Sequence, residues 1–452
     1  MEIGEGTADP RRLAAPARWA VFALAALAFA ALRYTPGVAD PYLRYQMAEE
    51  KPEASVQMVD RMAEGSEGGA RDRQVLLACL GLAGALGVAR RGGARLCPGR
   101  PLAAVLLVYV AVLVSSVLWS VQPLLSLRRV IAYTLAFAAI AGLIRQFELE
   151  EIVDLAFLTT ATALVAGIAV ELSARTFAPL DPSYRFFGLF HPNIMGQDCA
   201  ILIFAAVSIQ RGRKLAWLRL PAIAVGAFVL VLTRSRAAAA GVVIALAVRW
   251  LATARLSRIA IALVILAWGG CLGVLVAGDR LSARLQGTVL MGRAADDAGT
   301  LSGRTDLWSE LLGHVADRPI LGHGMGAFWD AARIQQVSRS QRWAVSHAHS
   351  TYLDQLLDLG LVGLVAFVLM AAGAAAMALG RLRRAPGGGI GFLSCVLVFA
   401  LLVGTMESVV SPQGFLAFLA FWAIAFVALR APDEDGAVRE QEGRHDDAVG
   451  LR

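Results

Sequence analysis

The chain has 452 residues, 57% of them hydrophobic and 17% charged, with a net charge of +7 and a mean hydropathy of +0.61. A soluble domain is roughly 25% charged and 45–50% apolar, so this composition excludes a soluble globular protein, a disordered chain, a collagen and a disulfide scaffold. The five cysteines (Cys79, Cys97, Cys199, Cys271, Cys395) sit in or beside apolar runs without metal-ligand spacing and read as packing residues.

Apolar runs recur at 14–32, 74–89, 101–119, 130–144, 152–174, 194–210, 215–233, 236–254, 259–278, 357–380, 390–410 and 414–430, about twelve spans in all. The fold class is therefore an all-α integral membrane protein, with about 12 transmembrane helices and one large loop. Residues 1–278 hold about nine helices, 279–349 the large loop and 350–430 about three helices, while the charged tail 431–452 is expected to be disordered. Arg11 and Arg12 precede the first run, and Ala28-Phe29-Ala30 loosely resembles a signal-peptidase site; the length of the run favours a retained helix.

Positive-inside counting gives the orientation. With the N-terminus inside, the inner connections carry Arg90, Arg91, Arg95 and Arg100; Arg145; Arg211, Arg213, Lys214 and Arg219; Arg249, Arg255 and Arg258; and Arg381, Arg383 and Arg384, with few acids. The basic balance thus reports topology and calls for no nucleic-acid partner. The same alternation gathers the polar segments Trp119–Arg129, Arg175–Asn193, Thr233–Arg236, Asp279–Ser350 and Glu407–Gln413 on the outer side, with the loop after the first helix. Any chemistry is expected there.

Within those segments, Trp119-Ser-Val-Gln-Pro123 precedes Arg128-Arg129, a pair that breaks the positive-inside trend and reads as an anion contact or an interfacial stretch. Phe186-Phe-Gly-Leu-Phe-His191-Pro-Asn193 leads into a span with Gln197 and Asp198 in its first turns, polar residues suited to lining a cavity. Asp154 and Glu171, near the ends of the preceding span, read as interfacial. Thr233-Arg234-Ser235-Arg236 stands between two apolar runs and is suited to cradling a dianion, because guanidinium pairs with phosphate bidentately and keeps its proton; one of the two arginines could equally snorkel.

The large loop, about 70 residues long, exceeds ordinary connections and is of the size that forms sites. It contains Gly303-Arg304-Thr-Asp-Leu-Trp308, then Pro319-Ile-Leu-Gly322-His323-Gly324-Met-Gly326, then Ser346-His347-Ala348-His349. The glycines read first as a turn that positions neighbours, and second as a phosphate contact centred on Gly324. His347 and His349 share a side only in extended chain; as metal ligands they would need a third group such as Asp296 or Asp297, and no metal is expected. Thr351-x-x-Asp354 fits a capping box and predicts a helix from Thr351, with His349 just ahead of it as a general base or as a residue that caps or packs. Glu407, near the outer end of its span, costs more than a packing residue should.

Together these motifs resemble the O-antigen ligase and polymerase superfamily of bacterial membrane glycosyltransferases, most closely its exopolysaccharide-polymerase branch. His349-Ser350, nine residues, Gly360, two residues and Gly363 match the ligase pattern H-[NSQ]-x9-G-x-x-[GTY]. Thr233–Arg236 resembles the T-x-S-R element, with Arg236 at the matching position and Arg234 where the family often has Gly. Gly303-Arg304 with Trp308, and Pro319 with Gly322, Gly324 and Gly326, resemble the G-R-x-x-x-W and P-x-x-G-x-G-x-G runs of the family's periplasmic loop. The resemblance spans roughly residues 115–410.

The resemblance implies transfer of a glycan from undecaprenyl diphosphate to an acceptor sugar hydroxyl at the periplasmic face of the inner membrane, without cofactor or metal. His349, Arg236 and Arg304 become the candidate catalytic residues. Arg234, Arg128, Arg129, His191, Asn193, Gln197, His347, Gly324 and Glu407 become the candidate substrate-binding residues. The acceptor would be a second glycan or a lipid A core, and the partners the bilayer and a polysaccharide assembly machinery. Polymerisation is favoured over ligation. A secondary transporter and a non-catalytic glycan-lipid binding protein are the rivals from other classes. Transport is disfavoured because transporters bind near the midplane, whereas here the polar residues cluster at outer helix ends.

Overall fold

The computed structural model describes residues 59–65, 71–89, 94, 96–181, 184–210, 212–254, 261, 263–269, 304–410 and 414–430. The first predicted span, most of the ninth, Asp296 and Asp297, Gly303 and the C-terminal tail lie outside them. Among the described residues the chain is helical, with no strand longer than an isolated bridge between Leu96 and Arg430.

The helices are α1 (Arg71–Ala89), α2 (Pro101–Ser115), α3 (Pro123–Gln146), α4 (Leu149–Ser173), α5 (Pro192–Ser208), α6 (Arg219–Thr233), α7 (Arg236–Thr253), α8 (Arg304–Asp317), α9 (Ala331–Gln341), α10 (Thr351–Arg384), α11 (Gly388–Val403) and α12 (Phe415–Leu429). Among the described residues, six helical segments are long and apolar enough to cross a membrane: α2 with the turn after it, α3, α4, α6 with the turn before it, α7 and α10. Four shorter apolar helices accompany them: Gln74–Ala89 within α1, α5, α11 and α12. Each of these ten coincides with a span read from the sequence. Helices α8 and α9 belong to the large loop.

Local signals set several boundaries. Pro101, Pro123 and Pro192 occupy the first turns of α2, α3 and α5, where a missing N–H costs nothing. Glu148 and Glu151 form a reciprocal capping box at the start of α4, with the Glu148 N–H donating to Glu151 Oε2 at 2.8 Å.

Helix α12 is apolar all round and is buried from Phe415 to Ala428, the pattern of a helix enclosed by others. It packs against α2, α3, α10 and α11. Leu107, Phe228 and Val243, on α2, α6 and α7, remain more than half exposed at 53%, 53% and 68%, a surface suited to lipid. Helix α1 lies along α3, and the close approach runs through Gly84 and Gly142, where a Cβ on either residue would fall within 2.6 Å of the other helix's backbone.

The arginines at the end of the bundle remote from the site do more than anchor. Arg213 pairs with Asp154, and Arg249 donates to the Ser208 hydroxyl at 2.6 Å. Arg430 holds Glu148 at 2.8 Å and the Phe147 carbonyl at 2.9 Å. They tie neighbouring helix ends to one another.

Helix α10 has 34 residues, about 51 Å at 1.5 Å per residue, longer than the roughly 30 Å hydrocarbon core. The excess is a separate piece, because Gly360 breaks the helix with φ 64° and ψ −163°, a conformation essentially confined to glycine. The broken turn exposes main-chain groups that the glycine-rich loop satisfies. His323 and Gly324 donate to the carbonyls of Leu357 and Asp358 at 2.8 and 2.9 Å, while Leu361 and Val362 donate to those of Pro319 and Ile320 at 2.8 and 3.2 Å. The contact is so close that a Cβ on Gly360 would lie 2.3 Å from the Ile320 carbonyl oxygen. The segment from Ser116 supports the same loop from the other side: Trp119 Nε1 donates to the Leu321 carbonyl at 2.8 Å and Ser126 Oγ to that of Met325 at 3.1 Å.

Candidate functional site

Four elements converge on one buried carboxylate. Glu407 follows α11 and is 9% exposed. Its position is set by Thr351, the first residue of α10, whose N–H donates to the carbonyls of Gly404 at 2.8 Å and Glu407 at 3.2 Å. The Thr351 hydroxyl donates to the Glu407 carbonyl at 3.0 Å and accepts from the Val409 N–H at 2.7 Å.

Around the carboxylate, Oε1 accepts from Arg304 Nη2 at 2.8 Å and from Asn193 Nδ2 at 2.6 Å, while Oε2 lies 3.7 Å from His349 Nδ1, a distance that makes an ion pair once the imidazole is protonated. Burial by itself would raise the Glu407 pKa, but the imidazole of His349 and the charge of Arg304 outweigh it and hold the group down to about 2. The residue is therefore an anion at neutral pH.

His349 takes a left-handed backbone, φ 50°, which costs energy for a residue with a Cβ. The neighbouring peptide groups are gripped to hold it. The Ala348 N–H donates to Asp354 Oδ1 at 2.9 Å, and its carbonyl accepts from Trp308 Nε1 at 2.8 Å. Asp354 also takes Trp329 Nε1 at 3.2 Å and the hydroxyl of Ser408. The helix begins at Thr351 as the sequence predicts, but its cap is Ser350, and the Asp354 carboxylate serves the histidine loop instead of closing a capping box with Thr351. On the far side Trp343 lies 5.3 Å from the His349 ring and His347 4.0 Å, centroid to centroid.

Arg304 and Trp308 stand four residues apart on α8 and so share a face. One helix thus delivers the cation to Glu407 and braces the loop that carries His349. This is a physical reason for the G-R-x-x-x-W spacing.

His191 caps α5, its Nδ1 accepting from the Asn193 N–H at 3.3 Å. Gln197, one turn further along α5 than Asn193, is partly buried. Arg236 opens α7 immediately after the turn that ends α6, and Arg234 within that turn is left-handed at φ 51°, which accounts for glycine being favoured there. Burial first, then the neighbouring His349 and the charge of Arg304, push His347 well below the usual imidazole range.

The remaining candidates are Arg128, Arg129 and Gly324. The aliphatic stem of Arg129 packs against Gly326, one residue along α3 from Arg128. The Gly324 N–H, the group that would hold an anion, is committed to the Asp358 carbonyl, and a Cβ there would lie 2.5 Å from Ser120. The glycine run is a buckle between the loop and α10.

Sequence reasoning passed over Arg185. Its Nε donates to the Thr233 carbonyl at 2.9 Å and its Nη2 to Asn193 Oδ1 at 2.8 Å. It also read Glu171 as interfacial, whereas that carboxylate accepts from the N–H groups of Phe187 and Gly188, both at 2.8 Å, and anchors the loop before α5. The one signal that pointed to Arg185 is its place within the polar segment Arg175–Asn193, which also holds Arg175.

His347, His349 and Glu407 each offer one ligand atom within 4.8 Å of the others, a set that a divalent ion could draw together. The Arg304 guanidinium on the same carboxylate puts a positive charge beside that position, so the set fits a resident metal poorly.

The fold is that of a multi-pass membrane protein, and residues 221–368 match the family model described as O-antigen ligase. That region runs from α6 into α10 and includes Arg236, Arg304 and His349. The chain is also 27% identical, over 283 aligned residues, to the exopolysaccharide production protein ExoQ of Rhizobium meliloti (strain 1021). The alignment covers 56% of this chain and 60% of that protein.

Proposed function

We propose that the protein transfers a glycan from undecaprenyl diphosphate to an acceptor sugar hydroxyl at the periplasmic face of the inner membrane. The observation that carries this reading is the joint placement of His349 and Arg304 around the single carboxylate Glu407, at the start of α10.

Departure of a lipid diphosphate requires its developing charge to be spread onto fixed cations, and Arg304 with Arg236 supplies them. The acceptor hydroxyl must lose a proton as it attacks, and His349 takes it. Displacement in one step, with one base, inverts the anomeric centre. Glu407, buried and anionic, is unsuited to binding a diphosphate itself. Its part is to hold Arg304 and Asn193 and to face the imidazolium that forms when His349 accepts the proton. His191, His347, Gln197 and Arg234 are the further residues assigned to binding the diphosphate and first sugar. No step calls for a metal.

Among acceptors, a second lipid-linked glycan is favoured, in line with the similarity to an exopolysaccharide production protein. The reading is tested by reconstituting the purified protein in liposomes with undecaprenyl-diphosphate-linked repeat units, with and without a core-lipid acceptor. A product ladder without the core lipid is expected. A single product formed only with the core lipid would make the protein a ligase, and uptake of glycan without transfer would overturn the reading.

A further inference from the structure

The stretch before α5 joins two parts of the site that the chain itself separates. Phe186 N–H donates to the Leu232 carbonyl at 2.9 Å and Arg185 Nε to that of Thr233 at 2.9 Å. Two successive residues therefore satisfy carbonyls that the C-terminus of α6 leaves open, and the Arg185 guanidinium lies at the negative end of that helix. The other edge of the same guanidinium donates to Asn193 Oδ1 at 2.8 Å. That bond fixes the amide's orientation: with Oδ1 accepting, Nδ2 is turned onto Glu407 Oε1 at 2.6 Å. The loop is itself held by Glu171 through the N–H groups of Phe187 and Gly188.

We propose that Arg185 is a positioning residue that locks the Thr233–Arg236 turn to Asn193 and Glu407, and so sets the separation between the arginine that opens α7 and the pair Arg304 and His349. Two acceptors in different directions call for a planar fork, which lysine lacks. The inference rests on the transfer reading for its kinetic consequence, because a misplacement of about 1 Å costs about 10²-fold in rate.

The test uses the full chain in liposomes with lipid-diphosphate-linked repeat units, comparing wild type with Arg185→Ala, Arg185→Lys, Asn193→Ala and Arg185→Ala/Asn193→Ala. Each single substitution is expected to lower kcat about 10²-fold, the double to fall no further than the worse single, and lysine not to restore the rate. Multiplying losses, recovery by lysine, or a normal kcat per folded protein would each overturn the proposal. A second cycle reads the tie without turnover: melting temperatures of Arg185→Ala, Glu407→Gln and the double, in wild-type and Asn193→Ala backgrounds. Coupling between Arg185 and Glu407 that disappears when Asn193 is removed is expected; its absence defeats the tie. If wild type transfers no glycan but the coupling is present, the functional reading fails and the positioning stands.

Discussion

At the scale of single residues, the site is a set of charges arranged around Glu407, and each can be removed separately. His349→Ala should reduce transfer by about 10²–10⁴-fold, the range for a general base; full activity in the liposome assay would remove His349 from that role. Arg304→Lys should also be impaired, since a point charge does not replace a planar fork, and equal performance would refute bidentate binding. Glu407 makes a pH prediction. Its carboxyl is depressed from 4.5 to about 2, so the stability it contributes is fully present above about pH 4.5 and is lost as pH falls towards 2. Wild type should therefore melt higher than Glu407→Gln at neutral pH, and the gap should close on acidification; a gap that widens would reverse the assigned sign. His349 and Arg304, which meet at Glu407, stood out in the sequence as candidates, as did Arg236, because their neighbours form short local patterns. Arg185, Asn193 and Glu407 were not legible as a chain, because Asn193 and Glu407 are 214 positions apart and meet only through the packing of α5 against α11.

At the scale of elements, the decisive feature is the break in α10. The H-[NSQ]-x9-G spacing places a histidine one residue ahead of the helix cap and a glycine nine residues into the helix, where the main chain turns to receive the Pro319–Gly324 segment. Gly360→Ala meets both a disallowed conformation and the Ile320 carbonyl, and should destabilise the fold by about 1–3 kcal/mol from the backbone alone. Proteolysis within residues 318–326 should quicken more than cleavage elsewhere; protection equal to wild type would mean that the buckle is dispensable. The sequence did announce the start of α10, since Thr351 and Asp354 have capping chemistry. It gave no sign that the carboxylate would turn back to the Ala348 N–H, because that partner is chosen by the placement of Trp329 and Ser408, brought in from α9's side and from α11.

For the whole molecule, hydropathy alone located ten apolar helices, since a run that spans a bilayer is written in consecutive residues. Alternation gathers the polar connections on one side, and residues from three of those segments, Asn193, Arg304 with His349, and Glu407, do meet. What alternation could not provide is the packing that brings Arg304, Asn193 and His349 to one carboxylate. The proposed chemistry draws its positive charge from arginines, so transfer in liposomes should survive chelation of divalent ions. Loss of activity with EDTA, restored by one added metal, would instead assign His347, His349 and Glu407 to an ion.

The shared face of Arg304 and Trp308 carries one more consequence, which concerns phase. An α-helix turns about 100° per residue, so a single residue inserted between them swings the indole away from the Ala348 carbonyl while leaving the guanidinium where α8 begins. The charge would still reach its carboxylate, but the histidine would lose its brace. Cation and base can thus drift apart through a frameshift in helical rotation that leaves every candidate catalytic residue in the sequence.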